Sequence, residues 1–313
     1  MKRPSEGRIH ERITAIGSRS FPGYVVEGDE LTLMIDCGLS FLGPRYLSGL
    51  TETLGEASRL DLLFLTHSHY DHLGAASYLK RHLPGLKIGA HERVPALLQK
   101  ESALAVMNQL SQSHAAAFSS STAGGNAQDV PIEPFPIDMV LKHGDQYDLG
   151  GLTCHVYETP GHTRDSLTFH FPEIATVFPG DACGAFKNRA ATDIQVQFVS
   201  SFQAYVDSIR FIMTLRPRLL CLAHSWVLEG DDVDEYLNRT LAETLRYREM
   251  IENYLDAAGG DVEEAIRRIT HDDYDTRADV VQMRDSYIAN LSAQVRHLAE
   301  LRAPTKKGAA GTS

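Results

Sequence analysis

The chain has 313 residues, of which 43% are hydrophobic and 23% are charged, a composition typical of a globular protein with a buried core. Its 30 Lys and Arg residues against 41 Asp and Glu residues give a formal net charge of -11, which disfavours nucleic-acid and anionic-membrane partners. There is no apolar run of about 18 residues and no apolar secretion signal at the start, so we expect a cytoplasmic protein without a membrane partner.

The first half of the chain predicts a sheet followed by helices. Apolar runs, either alternating or continuous, predict strands at 13–18, 23–28, 31–38, 61–66 and 86–90. A helical stretch follows the fourth strand as far as Leu83, and residues 91–117, rich in Ala, Leu and Gln, predict one long helix. The small, polar segment 119–128 predicts a mobile loop.

The second half of the chain repeats this pattern. Strands are predicted at 152–159, 166–171, 174–180 and 218–224, with a helix at 201–215. The two halves therefore predict two similar α/β units, although no repeat is visible residue by residue.

After residue 230 the pattern becomes purely helical. Asp261 and Glu264 form a predicted capping box at the start of a short helix. Beyond Ala278, apolar residues recur at a/d-like intervals, which fits either packing on the main domain or the seam of a homodimer. We therefore divide the chain into a main domain (1–230), a helical extension that packs over it (231–303) and a disordered tail (304–313).

Cysteine and histidine usage differ in what they indicate. The four cysteines are widely spaced, which predicts reduced and mostly buried thiols at Cys37, Cys154, Cys183 and Cys221. The 14 histidines are many for this length, and five of them fall in three short motifs. The excess indicates that these five histidines have a functional role.

The segment 66–72 places His67, His69, Asp71 and His72 directly after a predicted buried strand. Packing gives no reason for three imidazoles and a carboxylate within six residues. In a turn, the first two histidines can point to one side while Asp71 and His72 point to the other. One loop can then supply ligands to two adjacent metal ions.

Two adjacent ions need further ligands, including a carboxylate that can bridge them. Three candidates each follow a predicted strand: His162 in a Pro-Gly-His sequence, Asp181 in Pro-Gly-Asp, and His224 after the last strand. One such residue alone is a weak signal. Together with the first motif, and in this order, they predict a binuclear site.

These seven residues resemble the pattern of the metallo-β-lactamase superfamily, in which an HxHxDH motif precedes a later His, a later Asp and a final His. The resemblance covers residues 10–230 and implies an α/β fold, an αββα sandwich with a C-terminal helical extension. It implies that one metal is held by His67, His69 and His162, the other by Asp71, His72 and His224, with Asp181 bridging them. It also implies that Asp36, in an Asp-Cys-Gly turn, bonds to the ligand loop.

Within the superfamily, the chain is most similar to the branch of quinolone-signalling aminobenzoylacetyl-coenzyme A thioesterases and glyoxalase II-like enzymes. The residues shared with the thioesterases are His69-Tyr70-Asp71-His72, Glu92-Arg93 and Glu101-Ser102-Ala103. No segment here maps onto the glutathione-binding residues of glyoxalase II.

The implied activity is hydrolysis of a small-molecule thioester or ester, acyl-CoA or similar, by a metal-bridging hydroxide. Two divalent ions, Zn²⁺ or Fe²⁺/Fe³⁺ with Mn²⁺ also acceptable to these ligands, would lower the pKa of water to about 7. Asp71 would be catalytic as well as ligating, because it orients the attacking proton. Tyr70 and Cys183 fit packing roles better than catalytic ones. The helices at 91–117 and at the C-terminus would roof the site and set the size of the acyl group.

Three other interpretations use similar residues. A signalling or partner-binding metalloprotein with secondary hydrolase activity would use the helical extension for its contacts. A mononuclear iron persulfide dioxygenase would need one metal ion rather than two. A nuclease would need a basic face, which a net charge of -11 argues against.

Overall fold

Two mixed β-sheets stack face to face in the computed structural model, which describes residues 1–121 and 130–302. Helices cover the outer face of each sheet, so the layers follow the order helix, sheet, sheet, helix. The expected αββα sandwich is confirmed. The predicted tail at 304–313 lies outside the described residues.

The first half of the chain supplies one seven-stranded sheet. Its strands, in spatial order, are β2 (Gly7–His10), β3 (Ile13–Ser18), β4 (Phe21–Glu27), β5 (Thr32–Ile35), β6 (Leu62–Phe64), β7 (Lys87–His91) and β8 (Met139–Leu141). Strands β2 to β5 pair antiparallel, whereas β5 to β8 pair parallel. The parallel part is joined by helical crossovers, as parallel pairing requires.

The second half supplies the other seven-stranded sheet together with one strand from the start of the chain. In spatial order these are β1 (Lys2–Pro4), β16 (Trp226–Glu229), β15 (Leu219–Cys221), β12 (Thr176–Phe178), β11 (Leu167–Phe171), β10 (Thr153–Glu158) and β9 (Gln146–Asp148). A short hairpin of β13 (Ala185–Phe186) and β14 (Ile194–Gln195) lies apart from it. Because β1 crosses to this sheet, the two halves are not independent units.

Helices flank both sheets. Their bounds are α1 (Gly43–Leu54), α2 (Tyr70–Leu73), α3 (Ala76–His82), α4 (Val94–Leu98), α5 (Glu101–Ser121), α6 (Phe202–Thr214), α7 (Asp231–Ala257), α8 (Val262–Thr270) and α9 (Arg284–Arg302), with a π-helical turn at His271–Asp275. Within the described part of the chain, no helix has the length and apolarity that crossing a membrane requires.

The space between the sheets is filled by aromatic and branched side chains. Phe64 from the first sheet contacts Phe169 from the second with ring centroids 5.7 Å apart, and Tyr24 contacts Phe178 at 5.2 Å. All four are at most 2% exposed. Burial of this apolar surface holds the two sheets in fixed relation, and therefore also the loops at their shared edge.

The prediction of one long helix over 91–117 is wrong. Residue 91 ends β7, Pro95 lies in the first turn of α4, and the helix is interrupted at 99–100, where the Lys100 N–H donates to the Leu97 carbonyl at 3.0 Å. The loop predicted at 119–128 begins as helix, since α5 runs to Ser121, and residues 122–129 lie outside the described residues. No glycine or proline stands at residues 99–100, so the interruption could not be predicted from the residue types there.

The C-terminal helices pack on the second sheet. Asp261 caps α8, because its carboxylate accepts the Glu264 N–H at 3.0 Å, as the capping box predicts. Most of the apolar stripe of α9 is buried inside the chain, with Leu291, Val295 and Leu298 at most 1% exposed. The stripe therefore contacts the same chain, which accounts for its spacing without a dimer seam.

We expect Leu298→Ala to lower the free energy of unfolding by about 2–5 kcal/mol, because truncation leaves a cavity in a closely packed core. Leu301 on the same helix is 58% exposed, so Leu301→Ala should change stability by less than about 0.5 kcal/mol. Urea unfolding of the two variants measures the difference. Equal losses, or dissociation of an oligomer on Leu298→Ala, would contradict the packing described.

Candidate metal centre

The ligand loop leaves the end of β6 and enters a short helix. His67 and His69 lie in the extended stretch before α2, and Asp71 and His72 lie within its single turn. The His72 N–H donates to the His69 carbonyl at 3.0 Å, which fixes the turn. The two pairs of ligands that the sequence predicts thus differ in local structure: His67 and His69 precede the helix, and Asp71 and His72 belong to it.

Three further residues reach the same point from the second sheet. His162 follows β10, Asp181 follows β12 and His224 follows β15. Glycines precede two of them for steric reasons: Gly161 has φ 132° and a Cβ there would lie 2.3 Å from the Cα of Tyr205, while Gly180 has φ 54°. The Pro-Gly-His and Pro-Gly-Asp sequences therefore reflect tight turns that aim the ligands inward.

The three residues of the first predicted ligand set lie around one point. The imidazole rings of His67, His69 and His162 are 4.6–4.8 Å apart between centroids. His162 Nε2 faces His69 Nδ1 at 3.0 Å. Candidate ligand atoms of all three residues lie within 4.8 Å of one another, a spacing that suits three ligands of one ion.

The second predicted set lies beside the first. Candidate ligand atoms of Asp71, His72 and His224 also lie within 4.8 Å of one another. Asp181 stands between the two sets: one of its oxygens is 3.4 Å from His162 Nε2 and 3.6 Å from His72 Nε2, and the other is 3.4 Å from His224 Nε2. The structure therefore brings together all seven residues that the sequence singles out.

Asp36 holds the ligand loop from behind. Its carboxylate accepts the Thr66 N–H at 2.8 Å, the Thr66 hydroxyl at 2.7 Å and the His72 Nδ1–H at 2.9 Å. The last bond fixes the tautomer of His72 and leaves its Nε2 lone pair directed at the site. Asp36 itself adopts φ 56°, a left-handed conformation that Asp and Asn tolerate better than most residues.

The other imidazoles are oriented by groups that sequence reasoning missed. The His162 Nδ1–H donates to the Gln197 carbonyl at 2.5 Å, and the His224 Nδ1–H donates to the Ser20 carbonyl at 2.9 Å. Backbone carbonyls carry no residue-type signal, so neither could be found from the sequence. The Thr66 hydroxyl lies 3.1 Å from His67 Nδ1. Because Thr66 directly precedes the motif, this partner could have been identified from the sequence.

Several buried ligand atoms have no hydrogen-bond partner among the described residues: His67 Nε2, His72 Nε2 and Asp181 Oδ1. Leaving such atoms unpaired in the interior costs free energy, so a native site normally satisfies them. Imidazole nitrogen and carboxylate oxygen are donors that Zn²⁺, Fe²⁺ and Mn²⁺ accept. The residues present thus fit a pair of divalent ions.

Burial sets the protonation of the first ligand set. Burial lowers the pKa of His67 well below its usual range, and the neighbouring imidazoles lower it further. Burial and His162 lower the pKa of His69 to about 4. Burial also lowers the pKa of His162 itself. These three imidazoles are therefore neutral at physiological pH, as metal ligation requires.

Carboxylates set the protonation of the second set. Burial alone would lower the pKa of His72 and His224, but Asp181 and its neighbours outweigh burial and raise both. In return, burial would raise the pKa of Asp181, but His224 and His72 hold it well below its usual range. The pKa of Asp71 is likewise lowered by His72 and His224 against the effect of burial. Both carboxylates are ionised.

A cavity of about 850 Å³ opens above the ligands. Its roof comes from α5, through Val106, Met107 and Leu110, and from the segment 281–290, which includes the start of α9. The Tyr70 hydroxyl lies 3.0 Å from His114 Nε2 of α5 and 3.0 Å from Ser286 Oγ of α9. Tyr70 therefore ties the ligand loop to both parts of the roof, in line with a packing role.

Comparison with known proteins relates this site to a family. The model of the metallo-beta-lactamase superfamily matches residues 23–224. Human acyl-coenzyme A thioesterase MBLAC2 is 29% identical over 180 residues, which are 55% of this chain and 61% of that protein. Hydroxyacylglutathione hydrolase from Fuscovulum blasticum is 32% identical over 110 residues, 30% of this chain and 43% of that protein. The chain thus spans under two thirds of either relative.

Among solved structures, the archaeal metallo-beta-lactamase superfamily protein ST1585 from Sulfolobus tokodaii aligns with a TM-score of 0.55 at 18% sequence identity. The alignment covers 92% of this chain and 98% of the archaeal one, so it includes the C-terminal helices as well as the sandwich. At this identity the likeness concerns the fold.

We expect the purified protein to bind about two divalent ions per chain, one for each ligand set. His162→Ala and His224→Ala should each reduce the content to about one, because each removes a ligand of a different ion. His82 lies away from the site on α3, so His82→Ala should still bind two ions. Elemental analysis after metal loading and desalting measures the content. One ion in the wild type, unchanged by His224→Ala, would contradict a binuclear site.

We expect Asp36→Asn to weaken metal binding by about 10- to 100-fold, because it replaces the carboxylate that orients His72. Asn keeps the size of the side chain and tolerates the left-handed backbone. Asp138 accepts the Ile88 N–H elsewhere in the first sheet, so Asp138→Asn is the matched control and should bind metal normally. Competition with a chelator measures affinity. An unaltered affinity in Asp36→Asn would show that His72 does not need this partner.

Proposed function

The chain belongs to the metallo-β-lactamase superfamily, and from this we propose that it is a metal-dependent hydrolase of thioesters or related esters, with acyl-coenzyme A thioesters as the substrate class. The observation that carries the proposal is the position of Asp181 between two ligand sets at the floor of a largely apolar cavity. Relatives named as an acyl-coenzyme A thioesterase and a hydroxyacylglutathione hydrolase support it.

The residues that would hold the two ions are those of the ligand sets, with Asp181 shared between them. Metal ions bound there would polarise the substrate carbonyl and lower the pKa of water to about 7. The donor set suits zinc, iron or manganese, so which metal occupies the site in the cell is left to measurement.

Asp71 is the residue we assign to proton handling. Its carboxylate is ionised, lines the cavity and has one oxygen 3.9 Å from His224 Nε2. In the reaction, a bond forms between the water oxygen and the acyl carbon while the carbon–sulfur bond breaks. Asp71 takes one proton from the water and returns it to the leaving thiol. Because a thiolate is a good leaving group, no separate strong acid is needed.

No cysteine of this chain is placed to act as the nucleophile. All four are free and buried, including Cys183, which follows Asp181 by two residues. Burial raises the pKa of the Cys183 thiol, so little thiolate would form. The cysteine is better explained as part of the core beneath the site, and attack by water fits the site better.

The rival interpretations differ in what they require. A persulfide dioxygenase would need one ion, whereas Asp71, His72 and His224 form a second ligand set. A signalling module that binds partners through the stripe on α9 is not favoured, because that stripe is buried within the chain. A cytoplasmic location and a homodimer stay predictions.

We expect Asp71→Asn to lower kcat/KM toward an acyl-coenzyme A panel by at least about 100-fold, because the amide cannot accept the proton. The fold should persist, since Asp71 makes no hydrogen bond to the core among the described residues. Asp207 on α6 is exposed, and Asp207→Asn serves as the control with normal turnover. Assays at saturating metal, with metal content measured on the same samples, separate proton handling from lost ligation. Unchanged turnover in Asp71→Asn would contradict the assigned role.

A further inference from the structure

Two buried glutamine side chains in the cavity wall each have an amide oxygen without a hydrogen-bond partner among the described residues. Gln195 and Gln197 are 6% and 5% exposed, and both line the cavity above the metal ligands. The amide oxygen of each is fully enclosed and unpaired within the part of the chain that the structure describes. Neither side chain takes part in the ligand sets, so the proposed chemistry leaves both unexplained.

Gln195 ends β14 and Gln197 follows it by two residues, and both line the cavity. Residues two apart in an extended segment share a face, and Val196 between them points the other way, into the core formed with the C-terminal helices. The Gln197 carbonyl holds His162, so this wall is fixed directly against the metal centre. The two amides therefore lie on a cavity wall that is bonded to a metal ligand.

A third buried glutamine shows what a structural role looks like in this chain. Gln294 on α9 is 1% exposed, donates from Nε2 to the Val196 carbonyl at 2.9 Å and accepts from the Tyr247 hydroxyl at 3.3 Å. Its amide is paired at both ends. Because an unpaired buried amide destabilises the fold, Gln195 and Gln197 bring no comparable structural benefit.

The same cavity holds two more unpaired oxygens. Asp165 is 6% exposed, and one of its carboxylate oxygens is buried without a partner among the described residues, as is the amide oxygen of Gln282. Helix α5 lines the same cavity with the apolar side chains of Val106 and Leu110, together with Ser102 and His114. A ligand that fits both sides has an apolar body and one edge that carries hydrogen-bond donors.

We propose that Gln195 and Gln197 select acyl groups that carry a hydroxyl or N–H group near the thioester, in preference to hydrocarbon acyl groups of the same size. The inference rests on the proposed thioesterase function and concerns its substrate class. Both the acyl group and the amide-bearing arm of the thiol could supply such donors. The near-complete burial of both side chains favours the acyl group, since the arm must lead out to solvent.

The test compares two coenzyme A thioesters that differ by one group: 3-hydroxybutyryl-CoA and isovaleryl-CoA, in which a methyl group replaces the hydroxyl. We expect the wild type to favour the hydroxyacyl thioester in kcat/KM by about 10-fold or more, because the hydrocarbon leaves buried polar groups unpaired. Calorimetry with the free acids, 3-hydroxybutyrate and isovalerate, gives a second readout without turnover.

Methionine replaces glutamine with a side chain of similar length and no amide. Gln195→Met and Gln197→Met should each lower kcat/KM for the hydroxyacyl thioester and reduce the preference, and the double variant should abolish it. Gln203 is exposed on α6 and donates to Asp207, so Gln203→Met is the control with unchanged preference. The melting temperature of each variant adds a structural readout. Gln195→Met and Gln197→Met should leave the melting temperature unchanged or raise it, whereas Gln294→Met should lower it by several degrees.

The outcomes separate the inference from the function it rests on. Hydrolysis of both thioesters with no preference, or a preference that survives the double variant, would overturn the inference and leave the function standing. The variants could also lose the same factor in kcat/KM for both acyl groups, and lose nothing when the thiol of the substrate lacks amides. That result would mean that the glutamines contact the thiol rather than the acyl group, and it would also overturn the inference. If neither thioester is cleaved, the proposed function fails, and the binding of the two acids decides the inference alone.

Discussion

The carboxylate of Asp181 is the point at which both halves of the molecule meet. It is 4% exposed and lies within 3.6 Å of imidazole nitrogens from the ligand loop and from two loops of the second sheet. Ionisable groups buried at such density are stable only when they neutralise one another or bind a cation. The rest of the fold can be understood as the framework that brings these groups to one edge and keeps them there.

That framework acts at several distances from the site. The closely packed aromatic side chains between the sheets fix the strand ends, and the glycines at 161 and 180 turn the chain sharply at two of them. Hydrogen bonds that the imidazole N–H groups donate to Asp36 and to the carbonyls of Ser20 and Gln197 then orient the rings. These anchors come from separate parts of the chain, so the ligand geometry depends on the whole sandwich rather than on any single loop.

The helices that cover the cavity are also attached to the ligand loop. Tyr70, next to Asp71, reaches both α5 and α9 through its hydroxyl, so the ligand loop and the cover of the cavity are held together. The wall that carries Gln195 and Gln197 is likewise tied to a ligand, through the bond from His162. Substrate selection and metal ligation thus share one set of backbone supports. We therefore expect a substitution that alters metal ligation to alter substrate selection as well, and the reverse.

The sequence was most informative where chemistry restricts the residue type. His67, His69, Asp71 and His72 could be identified because packing does not explain such a cluster, and Asp36 because the family resemblance implied its role. The longer strands were predicted well, but β1 and β8 span three residues each, too few to show a period, and the interruption between α4 and α5 has no breaker residue. The unpaired state of Gln195 and Gln197 is a property of the tertiary environment, which residue identity does not encode.

We propose that the metal-loaded protein holds two ions, one on either side of Asp181. Anomalous diffraction from crystals of that form would locate them. We expect two peaks, one within bonding distance of His67, His69 and His162, the other of Asp71, His72 and His224, with Asp181 contacting both. A single peak, or peaks away from these residues, would contradict the account.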